Sequence, residues 1–187
     1  VIAIMPGSER PQETTCYTAH WDHLGYNTKV EGDNIYNGAR DIASGTAGLL
    51  ALAQLFSQLP EAPARTVAFL AVTAEESGLL GSQWCGENPL FPLATTVANI
   101  NMDGMNELGP MRDVVVFGYG NSELEDYLRT SVANQPGRYL AQEPHPERGS
   151  YYRSDHFNFA RHGVPSLYAK SGEDSFAHGK EWGAKQS

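Results

Sequence analysis

The segment VAFLAVTAEESGLLGS, residues 67–82, joins a long apolar run to two adjacent glutamates. The run is rich in β-branched and aromatic side chains and almost continuously apolar, which is typical of a strand covered on both faces of its sheet. Glu75 and Glu76 follow where this strand is predicted to end, and a glycine-punctuated helix is predicted after them. A buried strand that feeds directly into a helix indicates an α/β domain.

Predicted strands and helices alternate on both sides of this segment. Strands are predicted at residues 1–5, 14–22, 65–74, 94–103, 113–120 and 164–172, and helices at 44–60, 77–87, 122–135 and 154–163. Ser44 is the expected N-cap of the first helix, because its hydroxyl precedes apolar residues at helical spacing. The alternation predicts an α/β fold with a mostly parallel or mixed central sheet.

Composition limits the classes of function. The chain has 187 residues, a hydrophobic content of 41% and a formal net charge of −9, which predicts a single domain over residues 1–187. This acidity argues against nucleic acid and anionic membrane as partners, because both are bound by Lys and Arg. Two cysteines, Cys16 and Cys85, are too few for a zinc finger and leave their pairing open. The chain begins without Met inside an apparent strand, so we expect it to be part of a longer protein.

Polar residues gather where the predicted strands end. His20 and Asp22 follow one strand, Glu75 and Glu76 another, and Asp103 a third. In an open α/β sheet such residues form the binding crevice beyond the carboxyl ends of the strands. Asp41 adds a further carboxylate from a glycine-rich loop before a helix.

Each of these residues has an ordinary explanation when it is taken alone. The acids could be exposed, and Asp41 could simply cap the following helix. Together, clustered carboxylates repel one another unless cations lie among them. One imidazole with several carboxylates suits zinc, manganese or cobalt. The two glutamates point in different directions, so one can bind an ion while the other acts as a general base.

Five motifs succeed one another along nearly the whole chain: AHWDHLG (19–25), NGARDIASGTAGLLALA (37–53), TAEESGLLGS (73–82), NINMDGMN (99–106) and YYRSDHFNFARHGVPSLY (151–168). In this order and spacing they resemble the M28 family of zinc metallopeptidases. The resemblance implies a three-layer α/β sandwich with helices on both faces, as in zinc peptidases. It also implies two divalent ions, most commonly zinc, and hydrolysis of a peptide bond next to a free amino terminus.

The resemblance also implies roles for individual residues. The expected metal ligands are His20, Asp41 as a bridge, Glu76 and Asp103, with Glu75 as general base and Asp22 orienting His20. Tyr152, Asp155 and His156 are expected to line or support the substrate pocket, whereas His23 is interpreted as a surface or packing residue.

The sequence departs from the family pattern at two points. Ile42 stands where the family has Asn or Asp after the bridging acid. The family's late histidine ligand has no counterpart before Ser187, and His178 is the only late candidate. We therefore expect the fifth ligand beyond Ser187, and one metal position to be weak or empty in this chain.

Two alternatives remain open. Within the enzymes, glutaminyl cyclases and other hydrolases resemble this fold, and among binding proteins, some receptor ectodomains share it without catalysis. The resemblance also favours an exported location, whether periplasmic, secreted or membrane-anchored. The sequence indicates no oligomeric state and no preferred N-terminal residue.

Overall fold

A computed structural model describes residues 1–186 and has nine β-strands among them. The strands are β1 (Ile2–Met5), β2 (Arg10–His20), β3 (Gly25–Tyr26), β4 (Ile35–Tyr36), β5 (Arg65–Val72), β6 (Thr96–Asn101), β7 (Asp113–Val116), β8 (Tyr139–Gln142) and β9 (Ser166–Ser171). Seven of them form one sheet in the order β1-β5-β2-β6-β9-β7-β8, while β3 and β4 pair separately.

The sheet is mixed, and its middle is parallel. β2 runs parallel to both β5 and β6, and β6 runs parallel to β9. β1 is antiparallel to β5, and β7 is antiparallel to β9. The carboxyl ends of β2, β5, β6 and β9 therefore meet at one edge, where the polar residues were predicted to gather.

Helices cover both faces, which confirms the predicted three-layer α/β sandwich. The helices are α1 (Ser44–Ser57), α2 (Leu80–Glu87), α3 (Leu124–Ala133), α4 (His156–Ala160) and α5 (Lys180–Gly183). The strand β5 decides this arrangement, because its residues 66–70 are buried without interruption. Alternate side chains of such a strand point to opposite faces, so both faces need a helical layer.

On one face of β5, Val67 and Phe69 pack against α1 through Leu49 and Phe56. Tyr17 of β2 stacks on Phe69, with ring centroids 5.8 Å apart. Burial of aromatic and aliphatic side chains at this density contributes about 1.5–3 kcal/mol for each large residue. This cluster fixes α1, and therefore the turn that carries Asp41, against the sheet.

On the opposite face, Leu70 and Val72 pack with Phe159 of α4, and Cys85 of α2 lies against the same cluster. Cys16 belongs to this cluster too. Both cysteines are free thiols, which answers the question that the sequence left open. This cluster therefore joins β5, which precedes Glu75, to α2, which follows it, and to α4, which follows Asp155.

Several details differ from the predictions. Ser44 is the first helical residue rather than an N-cap, because Ala43 before it already has helical backbone angles, φ −54° and ψ −32°. The Ser44 hydroxyl instead donates to the carbonyl of Arg40 and accepts from Met105 N at 2.7 Å. The short β3–β4 pair, the edge strand β8 and the helix α5 were not predicted.

Among residues 1–186, no helix is both long and apolar enough to cross a membrane.

Candidate metal centre

Two groups of three potential ligands share Asp41. His20, Asp41 and Asp103 form the inner group, and His23, Asp41 and Glu76 form the outer group. Within each group the ligand atoms lie within 4.8 Å of one another. The structure thus brings together all four residues that the sequence suggested as metal ligands, and adds His23.

His20 is the last residue of β2, and its side chain is only 1% exposed. Its Nδ1 lies 2.9 Å from the carbonyl oxygen of Asp22. A ring that donates from Nδ1 leaves the lone pair of Nε2 available for a cation. Nε2 lies 3.4 Å from Asp41 Oδ1 and has no hydrogen-bond partner among residues 1–186. Burial lowers the pKa of His20, but Asp41, the Asp22 carbonyl and Glu75 outweigh it and raise the pKa to about 9.

Asp22 acts differently from the expectation. Its main-chain carbonyl, not its carboxylate, contacts the His20 ring. The carboxylate instead accepts hydrogen bonds from Thr73 Oγ1 and from Ala74 N, each at 2.8 Å to Oδ2. The reason lies in the backbone, since Ala74 has φ 56°. This left-handed conformation is unfavourable for a residue with a Cβ, and Asp22 stabilises it immediately before Glu75.

Glu75 lies beside the inner group. Its side chain is 11% exposed, and Oε2 is 4.0 Å from His20 Nε2. Burial is the largest cause that raises the pKa of Glu75, to about 7, and the negative charges of Asp103, Asp155 and Glu76 add to it. A carboxyl group with a pKa near neutrality can both accept and return a proton.

Asp103 is held by residues that the sequence analysis did not single out. Its Oδ2 accepts from Ser154 Oγ at 2.8 Å and from Tyr168 Oη at 3.0 Å, and Lys170 Nζ lies 3.6 Å from Oδ1. Burial alone would raise the pKa of Asp103, but Lys170 and these hydrogen bonds lower it. Tyr168 could have been found as a polar residue near the carboxyl end of β9, beside β6.

The outer group is more exposed. His23 Nδ1 lies 2.9 Å from Glu76 Oε1, and these side chains are 20% and 27% exposed. Asp41, which joins the groups, is 54% exposed. The neighbouring Ile42 is fully buried, so it anchors the turn through apolar packing where a polar residue was expected.

A cleft of about 590 Å³ opens above these residues. Its lining includes Glu75, Glu76 and, as expected, Tyr152, together with the cationic side chains of Arg153 and Lys170. Two of the three expected pocket residues are not in this lining, because Asp155 and His156 are fully buried. Asp155 directly precedes α4, and His156 is its first residue, whose ring stacks on that of Tyr168 with centroids 4.7 Å apart.

Burial has opposite effects on these two residues. It raises the pKa of Asp155 to about 6 and lowers that of His156 to about 3. His178 belongs to neither ligand group among residues 1–186, and its ring lies 4.5 Å from that of Trp182. A role for His178 therefore stays a prediction.

The residues of both groups fit divalent cations. Each group combines one imidazole with two carboxylates, a donor set suited to zinc. His20 Nε2 and His23 Nδ1 are buried nitrogens without a hydrogen-bond partner among residues 1–186, and they lie 3.4 Å and 2.9 Å from carboxylate oxygens. Atoms bound to one zinc ion lie about 3–3.5 Å apart, close to the spacing of these pairs.

Solved structures of known proteins share this fold. A zinc aminopeptidase from Bacillus subtilis aligns with a TM-score of 0.71 at 23% identity, covering 99% of this chain and 46% of that chain. At this identity the similarity shows the fold.

Two curated relatives are fungal proteins. A probable glutamate carboxypeptidase of Arthroderma benhamiae is 33% identical over 113 residues, covering 52% of this chain and 15% of the relative. A probable zinc metalloprotease of Leptosphaeria maculans is 33% identical over 107 residues, covering 56% of this chain and 22% of the relative. The chain therefore spans less than a quarter of the length of either. The sequence profile of peptidase family M28 matches residues 1–184, and the chain belongs to this family of peptidases.

Proposed function

We propose that this chain is the catalytic part of a zinc-dependent aminopeptidase, which removes N-terminal residues from peptides. The observation that carries the proposal is the position of Glu75. A mostly buried carboxyl group lies 4.0 Å from His20 Nε2 and also lines an open cleft. This position supports Glu75 as the proton acceptor, because it lies beside the ligand cluster and at the cleft that a substrate would enter.

In this proposal the chain holds two ions. His20, Asp41 and Asp103 would bind one, while Asp41 and Glu76 contribute to the other. When bound, the ions would polarise the scissile carbonyl and lower the pKa of water towards about 7. The four acids Asp41, Glu75, Glu76 and Asp103 all line the cleft, and their mutual repulsion supports the need for cations.

Glu75 performs the proton transfers. Its ionised carboxylate accepts a proton from the attacking water and later donates it to the leaving amine nitrogen. Without bound ions, burial raises the pKa of Glu75 to about 7, and nearby cations would lower this pKa and favour the ionised form that accepts the proton. The Asp22 carboxylate accepts a hydrogen bond from the main-chain N–H of Ala74. This bond holds Ala74 in position and so keeps Glu75 oriented towards the ligands.

The cleft also favours a substrate with a free amino terminus. An α-ammonium group is attracted by the carboxylates at its base, whereas the side chains of Arg153 and Lys170 in the same lining offer contacts for peptide carbonyls. Tyr152 adds an exposed aromatic surface for a substrate side chain.

The alternatives are separated by one panel of substrates. Aminoacyl nitroanilides report aminopeptidase activity, peptides with N-terminal glutamine report cyclisation, and peptides with C-terminal glutamate report carboxypeptidase activity. We expect turnover of the first class only. Hydrolysis of the third class alone would show a carboxypeptidase instead of an aminopeptidase. If the zinc-loaded natural protein turns over none of the three classes, a binding role is favoured.

An exported location, expected from the family resemblance, is tested by fractionating cells that express the natural protein.

The variant Glu75→Gln tests the proposed general base. We expect kcat to fall by about 10²–10⁴-fold, with the zinc content unchanged. Glu87→Gln is a matched control, since Glu87 is an exposed acid of α2 whose Oε1 contacts Gln83 Nε2 at 2.9 Å. If Glu75→Gln keeps more than a tenth of the activity, the role proposed for Glu75 is wrong.

A further inference from the structure

His23 has an environment that its place in the sequence did not suggest. It lies in the loop after β2, three residues beyond His20. Its Nδ1 is buried and has no hydrogen bond to any of residues 1–186, although Glu76 Oε1 lies only 2.9 Å away. The two atoms are thus close together without the alignment that a hydrogen bond requires.

A buried polar nitrogen without a partner costs about 1–3 kcal/mol. A cation shared by the nitrogen and the carboxylates removes this cost, and the donor atoms of a bound ion are not aligned with one another as in a hydrogen bond. Nδ1 of His23, an oxygen of Glu76 and an oxygen of Asp41 all lie within 4.8 Å of one another. This is the arrangement of three ligands around one centre.

The local backbone supports this position of His23. Gly38 has φ 63°, and a Cβ placed there would lie 3.0 Å from His23 Cβ. Glycine at this position therefore allows the turn that carries Asp41 to approach the loop that carries His23. The ring of Tyr36 meets the His23 ring edge to face, with centroids 6.3 Å apart.

We propose that His23 is a ligand of the second divalent ion, which it binds through Nδ1 together with Asp41 and Glu76. This rests on the proposed two-ion function. With His23, each group has one imidazole and two carboxylates, and the ligand expected beyond Ser187 would be a further ligand of the second ion. Asp41 is the only residue common to both.

Zinc binding to the natural protein, made metal-free with a chelator, tests the proposal. Affinities are measured by competition with a chromophoric chelator, and stoichiometry by elemental analysis. We expect two sites in the unmodified protein. His23→Gln and Glu76→Gln should each keep one tight site and weaken the other by about 100-fold or more, a loss at least as large as second-shell substitutions cause.

His145→Gln is the matched control. His145 Nδ1 lies 3.1 Å from Glu147 Oε1, a similar pair whose side chains are 53% and 69% exposed. This pair belongs to neither ligand group within residues 1–186. The variant should therefore bind two ions with unchanged affinities.

The ¹⁵N chemical shifts of the histidine rings in the unmodified protein give a second readout, which does not depend on whether a variant folds. In long-range ¹H–¹⁵N spectra, one equivalent of zinc should shift an Nε2 resonance, from His20, and a second equivalent should shift an Nδ1 resonance, from His23. Two sites that persist unchanged in His23→Gln, or a second equivalent that shifts no Nδ1, would overturn the proposal and leave the two-ion function standing. An unmodified protein that binds no zinc would refute both.

Discussion

The two ligand groups differ mainly in what surrounds them. The inner group is built at the carboxyl ends of β2 and β6, and the hydroxyls of Ser154 and Tyr168 support its carboxylate Asp103. The outer group lies on loops, and its side chains are more exposed. In the inner group, Nδ1 of His20 is also held, 2.9 Å from the carbonyl oxygen of Asp22.

This contrast indicates two sites of unequal strength. Ligands whose orientation is fixed by hydrogen bonds lose little freedom when an ion binds, whereas loop ligands must first become ordered. We therefore expect the inner site to bind zinc more tightly than the outer site. Asp41, shared by both, is the residue through which the two sites affect each other.

Replacement of Asp41 should have the largest effect, because it removes a ligand from both groups. We expect Asp41→Asn to weaken both sites by about 100-fold or more, and kcat to fall below detection. Zinc competition titrations measure the affinities. Asp33→Asn, in the adjoining loop, is the control, since Asp33 Oδ1 accepts from Ile35 N at 3.3 Å and Asp33 belongs to neither ligand group within residues 1–186. Loss of one site alone in Asp41→Asn would show that Asp41 is not shared.

Replacement of the residues around Asp103 should affect the inner site only. Tyr168→Phe and Ser154→Ala each remove one hydrogen bond to Oδ2 of Asp103. Loss of such a support typically weakens metal binding by about 10–100-fold. We expect this decrease at the tighter site, measured by the same titration, with the weaker site within about threefold of its original affinity. An equal decrease at both sites would contradict the separation of the groups.

Asp22→Ala distinguishes the two contacts that Asp22 makes. The carboxylate holds Thr73 and Ala74, while the carbonyl that contacts His20 remains in the variant. We expect a loss of about 1–3 kcal/mol in the free energy of unfolding. We also expect a lower kcat, because Glu75 is no longer held in place. The inner site should keep its zinc affinity within a few-fold, whereas a large loss of affinity would mean that the carboxylate orients His20.

The inner group was largely predictable from the sequence. His20, Glu75 and Asp103 each follow a recognisable strand, and parallel strands bring such residues to one edge of a sheet. The order β1-β5-β2-β6-β9-β7-β8 was not predictable, because hydrophobic patterns do not specify which strands pair. The alternation of strands and helices nevertheless predicted the α/β class and the mixed sheet correctly.

The outer group was predicted only in part. Glu76 and Asp41 were expected ligands, but His23 lies in a loop whose path depends on Gly38 and on the short β3–β4 pair. Loop geometry of this kind has no periodic signal in the sequence. The burial of Asp155 and His156 was also missed, because short motifs of polar residues are usually exposed.

Replacement of His156, which lies beneath the inner group, should have the smallest effect. Burial lowers its pKa to about 3, whereas a histidine in the unfolded chain has a pKa of about 6.5. Between these values the unfolded state binds more protons, so this histidine makes stability fall as the pH falls below about 6.5. Asp155, whose pKa is raised to about 6, acts in the opposite direction, but it is present in both proteins compared.

Unfolding by urea in the presence of a chelator, at pH 7.5 and pH 5.0, measures this effect. His156→Phe keeps a ring between Tyr168 and Tyr151, which the His156 ring contacts at 4.7 Å and 4.8 Å. We expect the unmodified protein to lose about 2 kcal/mol more than the variant between these two pH values. Equal losses would mean that His156 is protonated in the folded protein.

Anomalous diffraction at the zinc absorption edge, from crystals grown with zinc, tests the central claim most directly. We expect a strong peak bonded to His20 Nε2, Asp41 and Asp103, and a weaker peak bonded to Asp41, Glu76 and His23 Nδ1. Zinc bound elsewhere on the protein, with His20, Asp41 and Asp103 bonded to no ion, would contradict it.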